Sequence, residues 1–228
     1  MVDDTFNPAL IVVDLQEDFC PPNGTLAVAE GRAIVAVVNE LLARPRFVLR
    51  VATKDWHPPD HISFASNHPG KRPFVDFATV TNPLNPREPS YQTRLWPVHC
   101  VQNSPGAQLL PDLDMRRVDV VVEKGTHKDV EMYSAIYDPF TNPRVSDSGL
   151  VARLRAHRVT HVYVVGLAAD YCVRSTALDA LHEGFVTYIV EEGTRAVDPD
   201  AWPAERAALA AAGVQIVHMD SPAVAQLG

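Results

Sequence analysis

The sequence predicts an α/β fold, a single six-stranded and mostly parallel sheet with helices on both faces, in a Rossmann-like three-layer arrangement. Short β-branched apolar runs alternate along the chain with segments whose apolar residues recur at helical spacing, and this order is typical of βαβ proteins. The apolar runs do not alternate with polar residues, as expected of strands buried on both faces. A chain of 228 residues fits one such domain, so we expect residues 1–228 to form it.

The predicted strands are short runs rich in valine and isoleucine. They are Ala9–Val13, Phe47–Thr53, Asp119–Val122, Val162–Val165, Val186–Val190 and Val214–His218. The predicted helices are Ala33–Leu42, Ser148–His157, a helix from about Tyr171 to His182, and Pro203–Ala212. Gly184 and Gly213 follow the last two helices, and glycine is a common residue just past a helix end.

A proline-rich segment at about 57–106 interrupts this alternation. Long segments without periodicity inside a compact domain are usually functional or disordered. This one carries Trp56, Phe64, Phe74, Tyr91 and Trp96, whose rings need a core or a ligand. We therefore expect an ordered excursion that covers a site.

Composition excludes several classes of partner. A formal charge of −8 argues against nucleic acid and anionic membranes, and no apolar run reaches the roughly 18 residues of a membrane span. The first eight residues lack the pattern of a signal peptide. Three cysteines without a CxxC pair do not suggest a disulfide framework, so we expect a cytoplasmic protein with reduced thiols. A homo-oligomer is left open.

Cys172 lies just after the predicted strand Val162–Val165, where Gly166 opens the turn into the next helix. A cysteine at such a turn lies near backbone N–H groups and the positive end of a helix dipole, which favour the nucleophilic thiolate. The alternative is a small apolar residue that opens a buried helix.

Polar residues follow the other predicted strands at corresponding places. Asp14 comes directly after the first strand, Asp55 two residues after the second, and Lys124 two residues after the third. Parallel α/β sheets bind ligands at the carboxyl ends of their strands, so we expect these residues and Cys172 to meet at one edge. An aspartate and a lysine beside a cysteine supply a base and a cation for a nucleophile. Singly, Asp14 could be a turn cap and Lys124 a solvated strand end.

A second cluster lies beside the first. Asp55, His57 and His61 fall within seven residues, and His99 ends the excursion's Trp-Pro-Val-His sequence. Imidazoles with one carboxylate suit Zn²⁺ or Fe²⁺. The spacing is irregular, and loop histidines that bond to the backbone are the alternative.

Four stretches together resemble the nicotinamidases and pyrazinamidases, a group of isochorismatase-like cysteine hydrolases. They are Val13–Cys20 (VDLQEDFC), Thr53–Phe64 (TKDWHPPDHISF), Trp96–Val101 (WPVHCV) and Gly166–Val173 (GLAADYCV). The resemblance extends over nearly the whole chain. It implies the isochorismatase-like fold.

The resemblance implies a catalytic triad of Asp14, Lys124 and Cys172. Asp14 would accept the thiol proton and later deliver it to departing ammonia, while Lys124 would hold the charges in place. The Leu167–Ala168 bond would be the family's cis peptide. The N–H groups of Ala168 and Cys172 would form the oxyanion hole.

The resemblance also implies one divalent metal ion, with Zn²⁺ expected and Fe²⁺ or Mn²⁺ as alternatives. Asp55, His57 and His99 would bind it, and His61 would be a fourth ligand or support the others. The metal would hold the pyridine nitrogen of the substrate. The substrate pocket would be lined by Phe19, Trp96, Tyr133, Leu167 and Ala168.

The expected activity is hydrolysis of nicotinamide to nicotinate and ammonia through a cysteine thioester, in NAD salvage. One alternative is an isochorismatase-like hydrolase of another small amide or carbamoyl compound. Members of the family that act on isochorismate lack the Asp-x-His motif, which weighs against that substrate. The other alternative is a catalytically idle binding module of the same fold.

Overall fold

A computed structural model describes residues 6–228. Within them lies a six-stranded sheet in the order β5-β2-β1-β6-β7-β8. Each pair of neighbouring strands in it is parallel, which confirms the predicted fold class. The strands of this sheet are β1 Pro8–Val13, β2 Leu49–Asp55, β5 Val120–Lys124, β6 His161–Leu167, β7 Val186–Arg195 and β8 Gln215–Val217.

Several strands extend further than the sequence predicts, and two of them, β2 and β5, end in charged residues of the site. Asp55 and Lys124 are the last residues of β2 and β5, and pair with each other in the ladder. The apolar pattern predicts that Asp55 and Lys124 lie two residues beyond the ends of their strands. The pattern missed them because charged residues rarely end a buried strand unless they are paired.

The helices cover both faces of the sheet. Along β1, Leu10 and Val12 face one apolar core, while Ala9, Ile11 and Val13 face the other. Helix α1 packs in the first core, and α2, α3 and α4 pack in the second. The helices are α1 Val35–Ala43, α2 Leu150–Ala156, α3 Arg174–His182, α4 Trp202–Ala212 and the short α5 Pro222–Ala225.

The helix predicted from about Tyr171 begins differently. A π-helical turn, Ala169–Val173, precedes α3 and contains Cys172. Both Tyr171 N–H and Val173 N–H donate to the carbonyl of Ala168, which closes the turn directly after β6. The wide turn presents the Cys172 side chain at the carboxyl end of the sheet.

The proline-rich segment contains a hairpin that the sequence analysis did not predict. Strands β3 Phe77–Val80 and β4 Tyr91–Arg94 pair antiparallel. Buried Val80 packs with Val130 and Phe140, which attaches the hairpin to the segment after β5. Trp96 and His99, which follow β4, thereby reach the end of the main sheet.

No helix within residues 6–228 is long and apolar enough to cross a membrane. Residues 1–5 belong to the N-terminal stretch on which the expectation about a signal peptide rests, and they lie outside the described residues.

Candidate active site

The structure brings the residues predicted at the strand ends into one buried cluster. Asp14 follows β1, Asp55 ends β2, Lys124 ends β5, and Cys172 lies in the turn after β6. Asp14 is fully buried, and Lys124 and Cys172 are 1% and 5% exposed. Ionisable side chains buried to this degree must be paired, and these are.

The Lys124 ammonium group is the centre of the cluster. Its nitrogen lies 2.8 Å from Asp14 Oδ2 and 3.5 Å from Cys172 Sγ, and it forms a second, short ion pair with Asp55 Oδ1. It also donates a hydrogen bond of 3.4 Å to the carbonyl of Met132. One carboxylate oxygen of Asp14, one of Asp55 and the Cys172 sulfur all lie within 4.8 Å of one another. The sulfur is therefore within reach of a carboxylate that can take its proton.

Protonation in this cluster differs from the expected thiolate. Burial raises the pKa of the Cys172 thiol well above its usual value, and the nearby Lys124 ammonium offsets this only in part. Burial also raises the pKa of Asp14, to about 6, against the opposing effect of Lys124. At neutral pH the resting pair is thus a thiol beside a carboxylate. A carboxylate beside a thiol is an arrangement suited to general-base chemistry.

Two polar residues that the sequence analysis did not single out as site residues hold Asp14 and Asp55, Thr53 through the Asp14 carboxylate and backbone and Gln16 through the Asp55 backbone. The hydroxyl of Thr53 donates to Asp14 Oδ1, and the Asp14 N–H donates to the same hydroxyl oxygen at 3.1 Å. The Gln16 amide accepts the Asp55 N–H at 2.8 Å and donates to the Asp55 carbonyl, also at 2.8 Å. The only signal for them in the sequence is that Gln16 lies two residues after Asp14 and Thr53 two residues before Asp55.

Asp55, His57 and His99 form a group that fits a divalent cation. Asp55 Oδ2 lies 3.3 Å from His57 Nε2 and 3.8 Å from His99 Nε2. The Nδ1 atoms of the two rings bond to the carbonyls of Gly125 and Pro97, each at 2.8 Å. A carbonyl can only accept, so each Nδ1 carries a proton, and in the neutral ring each Nε2 offers a lone pair.

The lone pair of His57 Nε2 supports the same conclusion. This buried atom has no hydrogen-bond partner among the described residues. Lone pairs of two imidazoles and a carboxylate oxygen repel one another unless a cation lies among them, and this donor set is one that Zn²⁺ and similar ions prefer. The donor set therefore supports a divalent metal site.

His61 is placed beside this group and differs from its members. Its Nδ1 bonds to the hydroxyl of Ser63 at 2.8 Å, and its Nε2 faces the carbonyl of Val130 at 3.2 Å. Its ring stacks on that of His57, with centroids 4.0 Å apart. Because both nitrogens are used, His61 supports the His57 ring and is not placed as a fourth ligand. Buried Glu131, whose pKa burial raises to about 7, is a neighbour that the sequence analysis missed.

A narrow cavity of about 20 Å³, with room for about one water molecule, opens beside the sulfur. Its lining is mainly aromatic and apolar, which suits the ring of a small compound. Of the predicted lining residues, the structure places Phe19, Trp96, Tyr133 and Ala168 there. The lining also includes Asp55, His99 and Cys172 from the two clusters. Three further lining residues, Leu26, Tyr171 and Val197, were missed by the sequence analysis.

Hydrogen bonding fixes the aromatic wall of this cavity. Trp96 Nε1 donates to the Tyr133 hydroxyl at 3.0 Å, and Thr93 Oγ1 lies 3.1 Å from that hydroxyl. The Tyr171 ring packs edge-on against Trp96, with centroids 4.9 Å apart. The cavity therefore has aromatic walls, and its lining also includes Cys172, Asp55 and His99.

The peptide bond between Leu167 and Ala168 is cis, as the resemblance implied. Ala168 lines the cavity together with Cys172. Leu167 does not: its side chain is fully buried in the core with Leu15 and Ile34, and it is outside the set of described residues that line the cavity. Side chains alternate across a strand, so Leu167, the last residue of β6, points away from the position that Ala168 occupies.

Comparison with known proteins agrees with this geometry. The isochorismatase domain model matches residues 8–221. A nicotinamidase of Acinetobacter baylyi is 41% identical over 192 residues, which cover 84% of this chain and 83% of that protein.

Two solved structures are similar throughout. The yeast nicotinamidase bound to the inhibitor nicotinaldehyde superposes with a TM-score of 0.86 at 34% identity, covering 92% of this chain and 99% of the other. The pyrazinamidase of Pyrococcus horikoshii in complex with zinc gives a TM-score of 0.72 at 35% identity, covering 93% and 99%. The resemblance found in the sequence is confirmed, and the chain belongs to the isochorismatase family.

Proposed function

We propose that this protein is a nicotinamidase, which hydrolyses nicotinamide to nicotinate and ammonia through a thioester on Cys172. The observation that carries the proposal is the contact of Lys124 with Asp14 and with the Cys172 sulfur, at 2.8 and 3.5 Å, where Cys172 lines a cavity with aromatic walls. Relatives that cover most of the chain bear the same name, among them the Acinetobacter baylyi enzyme.

The first half of the reaction is acylation. Asp14 takes the proton of the Cys172 thiol as the sulfur attacks the amide carbon. The N–H groups of Ala168 and Cys172 stabilise the oxyanion, a role worth about 2.7–4 kcal/mol per donor in other acyl-transfer enzymes. The carbon–nitrogen bond then breaks, and Asp14 gives its proton to the departing ammonia. Lys124 keeps the carboxylate charge balanced.

The second half is hydrolysis of the thioester. Asp14, again ionised, takes a proton from water as the water oxygen attacks the thioester carbon. The carbon–sulfur bond breaks, the sulfur regains a proton from Asp14, and nicotinate leaves. Both halves use the same base and the same oxyanion donors.

Asp55, His57 and His99 are the residues that would hold one divalent metal ion, for which we propose Zn²⁺ with Fe²⁺ and Mn²⁺ as alternatives. When bound, the metal supplies a Lewis-acid site for the pyridine nitrogen and so orients the ring. The ring itself packs against Phe19, Trp96 and Tyr133. The zinc in the Pyrococcus horikoshii structure supports the choice of metal.

The three buried partners of the triad argue against an idle binding module. A buried lysine between two carboxylates is costly to desolvate, and replacing such a pair by apolar residues is often neutral or stabilising. A domain that only bound a ligand would have no need to keep Asp14 and Lys124 around a buried thiol.

We place the reaction in the cytoplasm, as a step of NAD salvage. Cys20, Cys100 and Cys172 are all buried thiols outside any disulfide, which suits a reducing compartment. The proposed partner is the small-molecule substrate, and self-association into a homo-oligomer remains a prediction.

Ammonia release by the purified, zinc-loaded protein tests the function. We expect release from nicotinamide, and none from nicotinamide by the Cys172→Ala variant. An N-carbamoyl amino acid serves as the competing substrate class. Release from that compound but not from nicotinamide would overturn the proposal in favour of another amide hydrolase, and no release from either would favour a binding module.

A further inference from the structure

Asp170 connects the turn that carries Cys172 to a loop in the cavity wall. Its Oδ1 accepts the N–H of Val197 and its Oδ2 accepts the N–H of Asp198, each at 2.9 Å. Asp170 lies two residues before Cys172 in the π-helical turn Ala169–Val173. The loop begins where β7 ends, at Arg195.

The loop depends on this carboxylate for its position. Beyond Arg195 the chain leaves the sheet, and residues 198–200 are exposed. Val197 is half-buried and lines the cavity with Cys172. Two charge-assisted hydrogen bonds from consecutive backbone N–H groups therefore determine how far Val197 stands from the sulfur.

Two other loop aspartates, Asp198 and Asp147, act locally, and Asp170 does not. Asp198 accepts the N–H groups of Asp200 and Ala201 within its own loop, and Asp147 accepts that of Gly149. The partners of Asp170 are 27 and 28 residues away in sequence. Its role is thus to join two separate segments of the site.

We infer that Asp170 is a positioning residue that sets the width of the ring pocket, and thereby the size of amide that the site accepts. The inference rests on the proposed function for its substrate and on the geometry alone for the connection. Without the carboxylate, Val197 is free to move away from Cys172. Small ring amides then lose contact with the wall, while larger ones gain room.

Steady-state kinetics with two amides test this. Nicotinamide is compared with quinoline-3-carboxamide, which carries a second fused ring, in the zinc-loaded wild type, Asp170→Ala and Asp170→Asn. In Asp170→Ala we expect KM for nicotinamide to rise about 10-fold and the ratio of kcat/KM values to shift about 10-fold toward the larger amide. Asp170→Asn keeps one acceptor and should lie between that variant and the wild type.

Two variants calibrate the ratio. Asp198→Ala alters the same loop without touching the connection to the Cys172 turn, and should keep the wild-type ratio. Val197→Ala widens the same wall directly, and should shift the ratio as Asp170→Ala does. If Val197→Ala shifts the ratio and neither Asp170 variant does, the inference is overturned.

Alkylation of Cys172 separates this inference from the proposed function, because it needs no amide substrate. The rate with iodoacetamide is compared with the rate with an N-naphthyl iodoacetamide. In Asp170→Ala the bulky reagent should gain about 10-fold relative to the small one. This shift without ammonia release by the wild type would sustain the inference and reject the nicotinamidase proposal. An unchanged reagent ratio in a folded Asp170→Ala protein would reject the inference whatever the substrate.

Discussion

The Cys172 sulfur lies 3.5 Å from the Lys124 ammonium nitrogen, and yet the thiol keeps its proton at neutral pH. The main reason is burial, which disfavours the charged thiolate and outweighs the favourable effect of Lys124 on the thiol pKa. Asp14 and Asp55, which both pair with Lys124, add negative charge that raises the thiol pKa further. The proposed mechanism therefore needs Asp14 as the base, because a thiol that keeps its proton is a poor nucleophile.

Loss of the sulfur should abolish turnover. We expect Cys172→Ala to reduce kcat by a factor on the order of 10⁴ or more, because no other group can form the thioester. Cys20→Ala and Cys100→Ala, which remove thiols outside the site, should remain active. Mass spectrometry of a quenched reaction should show an acyl adduct on Cys172, and turnover like that of the wild type in Cys172→Ala would disprove the mechanism.

Activity should decrease in acid through protonation of Asp14. The pKa of Asp14 is raised to about 6, so the carboxylate is ionised above that pH and loses its charge below it. A base must be ionised to accept a proton, so kcat/KM should decrease about tenfold for each pH unit below about 6. Bound metal, measured at each pH, is the control. A decrease that follows metal release would assign the acid limb to the histidines instead.

Replacing Lys124 should affect both stability and reactivity. Lys124→Met leaves two buried carboxylates without a cation, so we expect the free energy of unfolding to decrease by about 3–5 kcal/mol in urea titrations. Alkylation of Cys172 by iodoacetamide at neutral pH should become slower, because a lysine that lowers the thiol pKa is gone. The matched control is Lys54→Met: Lys54 lies over the Trp56 ring, with its nitrogen 3.8 Å from the centroid, and its loss should cost about 1 kcal/mol. Unchanged alkylation in Lys124→Met would leave Lys124 a purely structural role.

The metal group and its neighbour His61 should respond differently to substitution. His57→Ala removes a ligand, so metal content should fall and turnover should drop by about 10²-fold, because the ring is misplaced. His61→Ala should retain stoichiometric metal, since both of its nitrogens bond within the protein. Elemental analysis distinguishes the two variants, and iodoacetamide should still alkylate Cys172 in both. Full metal occupancy in His57→Ala would show that the group is a set of loop histidines.

Benzamide tests the same group without a substitution. It lacks the ring nitrogen that the metal would hold, and should be a far poorer substrate than nicotinamide. Equal kcat/KM values for the two amides would contradict a positioning role for the metal.

Much of the site could be predicted because its residues sit at strand ends. Buried parallel strands can be recognised in the sequence as apolar runs. The residues that follow these strands meet at one edge of the sheet, however the helices are arranged. That is how Asp14, Lys124 and Cys172 were found together. The positions of Asp55 and Lys124 inside their strands were not predictable from apolarity, because their burial depends on pairing with each other.

The remaining residues act through tertiary contacts that leave no local pattern. Across the sheet, Thr53 bonds to the Asp14 carboxylate and Gln16 bonds to the backbone of Asp55. Val197 lines the cavity from a loop, and its N–H donates to Asp170. The hairpin in the excursion was hidden by its prolines and by strands of only four residues. Leu167 was predicted to line the pocket because it lies in the motif that resembles the family. Because side chains alternate along a strand, its side chain points into the core instead.

Gly166 stands one residue before Leu167, paired with Val13 in the sheet. A side chain at Gly166 would lie 2.0 Å from the Val13 carbonyl oxygen, and Gly166 has a φ of +110°. Strand β6, which leads to Cys172, and strand β1, which leads to Asp14, thus approach each other at a point that accepts no other residue than glycine. Redesign of this enzyme for other amides would therefore have to leave Gly166 unchanged and vary Leu26 and Val197, two aliphatic cavity residues contributed by loops.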